Sequence, residues 1–141
     1  DPMFIKFFLT NFIIFYLTTG TCAALSQAFL DPSSTIPMVG ASGAIAGILG
    51  AYIILFPKAN IRVFFWFIIF FKIIKIRAVF VLGFWIIIQL ISFSGTDINS
   101  GGVAYAAHIG GFICGIILIY FLKRKIIQSK KLSKTSLPSS K

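Results

Sequence analysis

The chain has 141 residues, 58% of them apolar and 11% charged, with no Glu and a formal net charge of +10. That is too little polar surface to cover a water-soluble globule, so the composition excludes a soluble domain and indicates a membrane protein. The positive charge does not argue for a nucleic-acid partner, because the basic residues fall between long apolar runs and at the C-terminus.

The opening Asp1-Pro2-Met3 resembles neither a signal peptide nor an initiation context, so the chain reads as part of something longer. Phe7 to Ser26 and Val103 to Leu122 are uncharged runs long enough, at about 1.5 Å per residue, to cross ~30 Å of hydrocarbon. Gly40 to Phe56 and Ala78 to Ser94 are shorter spans that draw support from charge placement. Lys6 precedes the first run. Lys58, Arg62, Lys72, Lys75 and Arg77 separate the second from the third, and the remaining basic residues run from Lys123 to Lys141. The other two loops hold Asp31 and Asp97 and no Lys or Arg, so four spans with the C-terminus cytoplasmic obey the positive-inside rule.

The expected fold is therefore all-α, a polytopic bundle over residues 1–122 followed by a basic, unfolded cytoplasmic tail over 123–141 resting against anionic lipid. Val63 to Phe71 is apolar and aromatic but too short to span, which predicts an interfacial or re-entrant segment on the cytoplasmic side. Cys22 and Cys114 lie inside apolar runs without metal-ligand spacing and read as buried free thiols; no metal or organic cofactor is implied.

Chemistry enters at GASGAIAGILGAY, Gly40 to Tyr52, directly after the turn-forming DPSSTIPM. Ser42 then stands at a helix N-terminus, where unpaired N–H groups stabilise an alkoxide or oxyanion and the glycines let a substrate backbone approach. A helix-capping serine is the bland alternative. The only histidine, His108, lies in AYAAHIGGFICG within the last span, and an ionisable side chain at membrane depth is a functional candidate by default. Both residues fall near the same membrane face. Ser42, Ala46 and Gly50, with Gly43 and Gly47, give one helix a small-residue surface; Ala107, Gly111 and Gly115 give the other a matching stripe that would let the two backbones touch. No carboxylate lies in any span, so a Ser–His dyad is the economical arrangement, with Asp31 and Asp97 simple loop residues.

GASGAIAG at a helix start, PK at its end and AHIGG in a later apolar helix resemble the rhomboid intramembrane serine protease pattern, from FFLTNFIIFYLTTGTCAAL, similar to the third of six core helices, through to the sixth. The resemblance implies Ser42 as nucleophile and His108 as general base. It implies an oxyanion site built on the backbone of Gly40, Ala41, Ser42 and Gly43, and a fifth helix, holding Phe84, Trp85 and Gln89, that admits substrate laterally. The first two family helices, with the His and Asn that assist the oxyanion, are not among these residues. Some relatives stack a Tyr from one turn after the serine on the histidine; here that position is Ala46, and Tyr105 is the candidate substitute. The expected partners are transmembrane protein substrates and the lipid bilayer, in a bacterial inner membrane. These residues alone are expected not to cleave. A catalytically inactive rhomboid-like protein that binds transmembrane helices, and a transporter fragment, are the competing classes.

Overall fold

The computed structural model describes residues 2–33, 38, 40–67, 69–95 and 103–135, in the order α1 (Pro2–Leu30), α2 (Ser42–Leu55), β1 (Asn60–Phe67), β2 (Phe70–Arg77), α3 (Ala78–Gly95) and α4 (Tyr105–Thr135). Asp97, Val39 and the end of the chain from residue 136 lie outside the described residues.

Helix α1 is apolar with hydroxyls scattered through it, and those hydroxyls bond back to their own helix: Thr18 to the Ile14 carbonyl at 2.7 Å, Thr21 to Leu17 at 2.9 Å, Ser26 to Cys22 at 2.8 Å. Such bonds remove the penalty of carrying a hydroxyl where there is no water. The helix closes with Asp31 N–H donating to the Gln27 carbonyl, and Pro32 cannot continue it. Helix α2 begins after Gly40, whose φ of 122° suits glycine alone, and stops before Pro57.

The bundle interior is made mostly of small residues: Ala23, Ala44, Ala46, Ala51, Ala106 and Ala107 are buried, with Leu82 and Phe112, while Phe29, Leu17, Ile14, Phe84, Ile91 and Phe121 are exposed. This inverts the soluble arrangement. Where lipid surrounds the protein, large apolar side chains gain nothing by turning inward, and close backbone approach becomes the source of attraction.

Helices α1, α2 and α4 form the tight centre. A Cβ at Gly111 would overlap the Gly43 carbonyl oxygen, and one at Gly115 would overlap that of Gly47, so α2 and α4 run parallel. Helix α1 runs against both. Thr19 touches Gly47, Ala23 touches Gly43, and the Gln27 side chain accepts the Ala107 N–H at 3.3 Å. Thr19 is fully buried, its hydroxyl 3.0 Å from the Phe15 carbonyl oxygen and 3.4 Å from that of Ala44. Helix α3 packs chiefly on α4, also antiparallel, with Gln89 level with His108 and Trp85 reaching Phe112. The start of α1, the end of α2 and the start of α3 therefore gather at one end with the Lys123–Lys125 part of α4, and the exposed Lys6, Lys58, Arg62, Arg77 and Lys123 are there. Ser42 and His108 are at the other.

Two features differ from the sequence expectation. The fold is not all-α: residues 60–77 form a two-stranded antiparallel hairpin, in register Arg62 with Lys75 and Phe64 with Ile73. NIRVFFWF and FFKIIKIR are β-branched and aromatic, and a pleated ribbon suits them better than a helix. Helix α4 continues through the basic segment to Thr135, where an unfolded tail was expected, because Lys, Arg, Ile and Gln are adequate helix formers and no Pro or Gly intervenes. Among the described residues, three helices contain stretches long and apolar enough to cross a membrane, Leu9–Leu30, Ala78–Gly95 and Tyr105–Lys125. Helix α2, at 14 residues, reaches only about 21 Å. Cys22 and Cys114 are free, as expected, but half-buried, with their sulfurs 2.7 Å apart between α1 and α4.

Candidate active site

Ser42 is the first residue of α2 and is exposed. It does not cap the helix: the N-cap is Ala41, which makes no side-chain cap hydrogen bond. The first hydrogen bond of the helix runs from Ile45 N–H to the Ala41 carbonyl at 3.0 Å. The N–H groups of Ser42, Gly43 and Ala44 thus precede it without intrahelical acceptors, at the positive end of the helix dipole and beside the serine oxygen. Gly40 has open space where a Cβ would stand, so its glycine serves conformation; Gly43 has Ala23 Cβ at 2.5 Å and the Ala107 carbonyl oxygen at 3.5 Å from that point, so its glycine serves contact.

His108 sits in the second turn of α4 and is half-buried, its N–H bonded to the Ala104 carbonyl at 3.2 Å. Its position is set by three elements. From α2, Gly43 rests on Ala107. From α1, Gln27 holds the Ala107 N–H. From α3, Gln89 Oε1 lies 2.7 Å from His108 Nδ1, and the Trp85 ring lies 5.8 Å from the imidazole, centre to centre, at 35°. No hydrogen bond joins Ser42 to His108 among the described residues.

The predicted site residues therefore fall together. Gly40, Ala41, Ser42 and Gly43 form one continuous turn at the head of α2. Ala107, the neighbour of His108 on α4, meets Gly43 of that turn, and Gly47, Gly111 and Gly115 form the contact line between the two helices. Asp31 is at the same end, in the turn after α1.

Residues 6–125 match the rhomboid domain family. The chain belongs to the rhomboid family. A relative in Saccharomyces cerevisiae, "Rhomboid protein 1, mitochondrial", is 24% identical over 129 residues, covering 86% of this chain and 34% of that protein. The chain thus spans about a third of the length of that relative. No solved structure matches it.

Within this rhomboid domain, the ring against His108 is Trp85, not the expected Tyr105, and Ala46 is buried in the helix contact. Gln89, Trp85 and Gln27 were not singled out for these roles from sequence. A usable signal existed for the first two: Gln89 is a polar residue deep in an apolar run, and Trp85 stands four residues before it, on the same helix face.

Proposed function

We propose that this chain is the catalytic C-terminal part of an intramembrane serine endopeptidase that hydrolyses peptide bonds of transmembrane proteins near the outer membrane face. The observation that carries the reading is the joining of two parallel helices by their glycines, so that Gly43, next to Ser42, rests on Ala107, next to His108.

In this reading Ser42 Oγ attacks the substrate carbonyl while His108 Nε2 accepts its proton. The oxygen that becomes negative is held by the free N–H groups at the head of α2. His108 then passes the proton to the leaving amine, leaving an acyl group on Ser42. Water from the exposed end of the bundle completes the hydrolysis, with His108 again taking the proton. Among the described residues no carboxylate bonds the imidazole; Gln89 is its polar neighbour.

We read all four helices as crossings, with the basic end of the bundle in the cytoplasm, as in a bacterial inner membrane. The alternation of α1, α2, α3 and α4 supports this, and the short α2 fits if the bilayer thins or the extended Gly40 turn covers the remaining depth. The hairpin belongs at the cytoplasmic interface, because its open strand edges cannot be satisfied in hydrocarbon while its aromatic tip and basic root suit the headgroup layer. A reporter fused after Lys141 should be cytoplasmic and one inserted at Ile98, a position outside the described residues, should be external; both on one side would overturn the four-crossing topology.

The function itself is tested with the full-length protein and a fluorescent transmembrane substrate in a bilayer. The proposal expects two products separated at a bond in the outer half of the substrate. An inactive helix-binding relative would retain the substrate uncut. The 141 residues alone are expected not to cleave, since the resemblance assigns an oxyanion donor to helices that are not among them and one such donor is worth ~100 to 1,000-fold.

A further inference from the structure

We infer that Gln89 is a positioning residue for the general base: it fixes the imidazole of His108 in the tautomer that leaves Nε2 free to accept the serine proton. The inference rests on the Ser42–His108 reading and adds the residue that makes the base usable.

Helix α3 turns only a narrow face to the bundle. Its buried residues are Ala78, Leu82 and Gln89, and the half-buried Trp85 completes the same face by spacing. Three of these four are apolar or aromatic, as a helix packed in lipid requires. Gln89 is not, and it is only 7% exposed. A buried primary amide is costly without a partner, and its partner is the imidazole.

The direction of that hydrogen bond decides the chemistry. Gln89 Oε1 is a carbonyl oxygen and can only accept, so with that oxygen 2.7 Å from His108 Nδ1 the contact is a hydrogen bond in the tautomer that carries its proton on Nδ1. A neutral imidazole with its proton on Nδ1 has its lone pair on Nε2, the nitrogen required as base. The Trp85 ring, one turn earlier on α3, lies against the imidazole and limits its rotation about the Cβ–Cγ bond. In triads with a buried carboxylate, an aspartate sets this same tautomer. Here a neutral amide does so, without placing a charge in the membrane.

The test uses the full-length protein in a bilayer with a fluorogenic transmembrane substrate. Gln89→Leu, similar in volume but unable to accept, should lower kcat by about 100-fold, the scale of a misplaced catalytic group, with KM unchanged. Gln89→Glu, which keeps an acceptor oxygen, should retain most of kcat, a rescue that a purely structural role would not show in this order. Nitrogen NMR of isotope-labelled histidine, assigned by loss of the signal in His108→Ala, should show the wild-type proton on Nδ1 and a tautomer mixture in Gln89→Leu. If Gln89→Leu does not fold, the wild-type spectrum and Gln89→Glu decide. A wild-type proton on Nε2, full kcat in Gln89→Leu, or an inactive, folded Gln89→Glu overturns the inference while leaving the dyad intact. Full activity in His108→Ala would instead remove the reading on which it rests.

Discussion

Ser42→Ala, His108→Ala and the double variant should each lose cleavage to the same extent, on the order of 10⁶-fold where the assay reaches that far, because a nucleophile and its base act as one unit. The physical basis is that a serine hydroxyl attacks poorly unless its proton is accepted during the attack, and His108 is the only imidazole in these residues. The measurement is single-turnover cleavage of a transmembrane substrate by the full-length protein. Strictly multiplicative losses would mean that the two side chains work independently, and a fully active Ser42→Ala would end the serine-protease reading. Thermal stability should change little in Ser42→Ala, since Ser42 is exposed and caps nothing.

Gly111→Leu and Gly47→Leu should be nearly as damaging, although neither glycine touches substrate. The Cβ of residue 111 would fall on the Gly43 carbonyl oxygen, and that of residue 47 would fall on Thr19, with Thr19 Oγ1 at 2.7 Å. The first obstacle is backbone and the second is the most deeply buried side chain of α1. Neither can turn aside, so the helices must separate. A shift of about 1 Å between Ser42 and His108 costs ~100-fold in rate, and overpacking adds about 1–3 kcal/mol of destabilisation. Gly83→Leu is the control, as a Cβ there meets open space. Equal activity in all three variants would show that α2 and α4 do not meet along Gly43, Gly47, Gly111 and Gly115.

These glycine contacts were legible in the sequence because small residues four apart on an apolar helix have few other uses, and the parallel stripes on two helices already implied a shared seam. Ser42 was legible for a related reason: a turn-forming stretch followed by GASG fixes a helix start. Yet only the backbone could show that Ala41 is the cap and that Ser42 is left unengaged. The hairpin was not legible. Its residues were recognised as too short to span, but periodicity cannot distinguish a short apolar strand from an interfacial helix, and the stretch between Phe67 and Phe70 carries no Gly or Pro to signal the pairing of Arg62 with Lys75. The basic end of α4 was read as unfolded from its charge, whereas an established helix propagates into such a segment readily. Gln89 was visible as a polar residue in a span, but its partner could be identified only once α3 and α4 were placed side by side.

The most direct test of the central claim is to treat the full-length protein in its membrane with a fluorophosphonate and locate the adduct by mass spectrometry. A nucleophile at the head of α2 activated by the imidazole on α4 predicts phosphonylation of Ser42 in the wild type and little or none in His108→Ala. An adduct on a different serine, or equal labelling of Ser42 with and without His108, would contradict it.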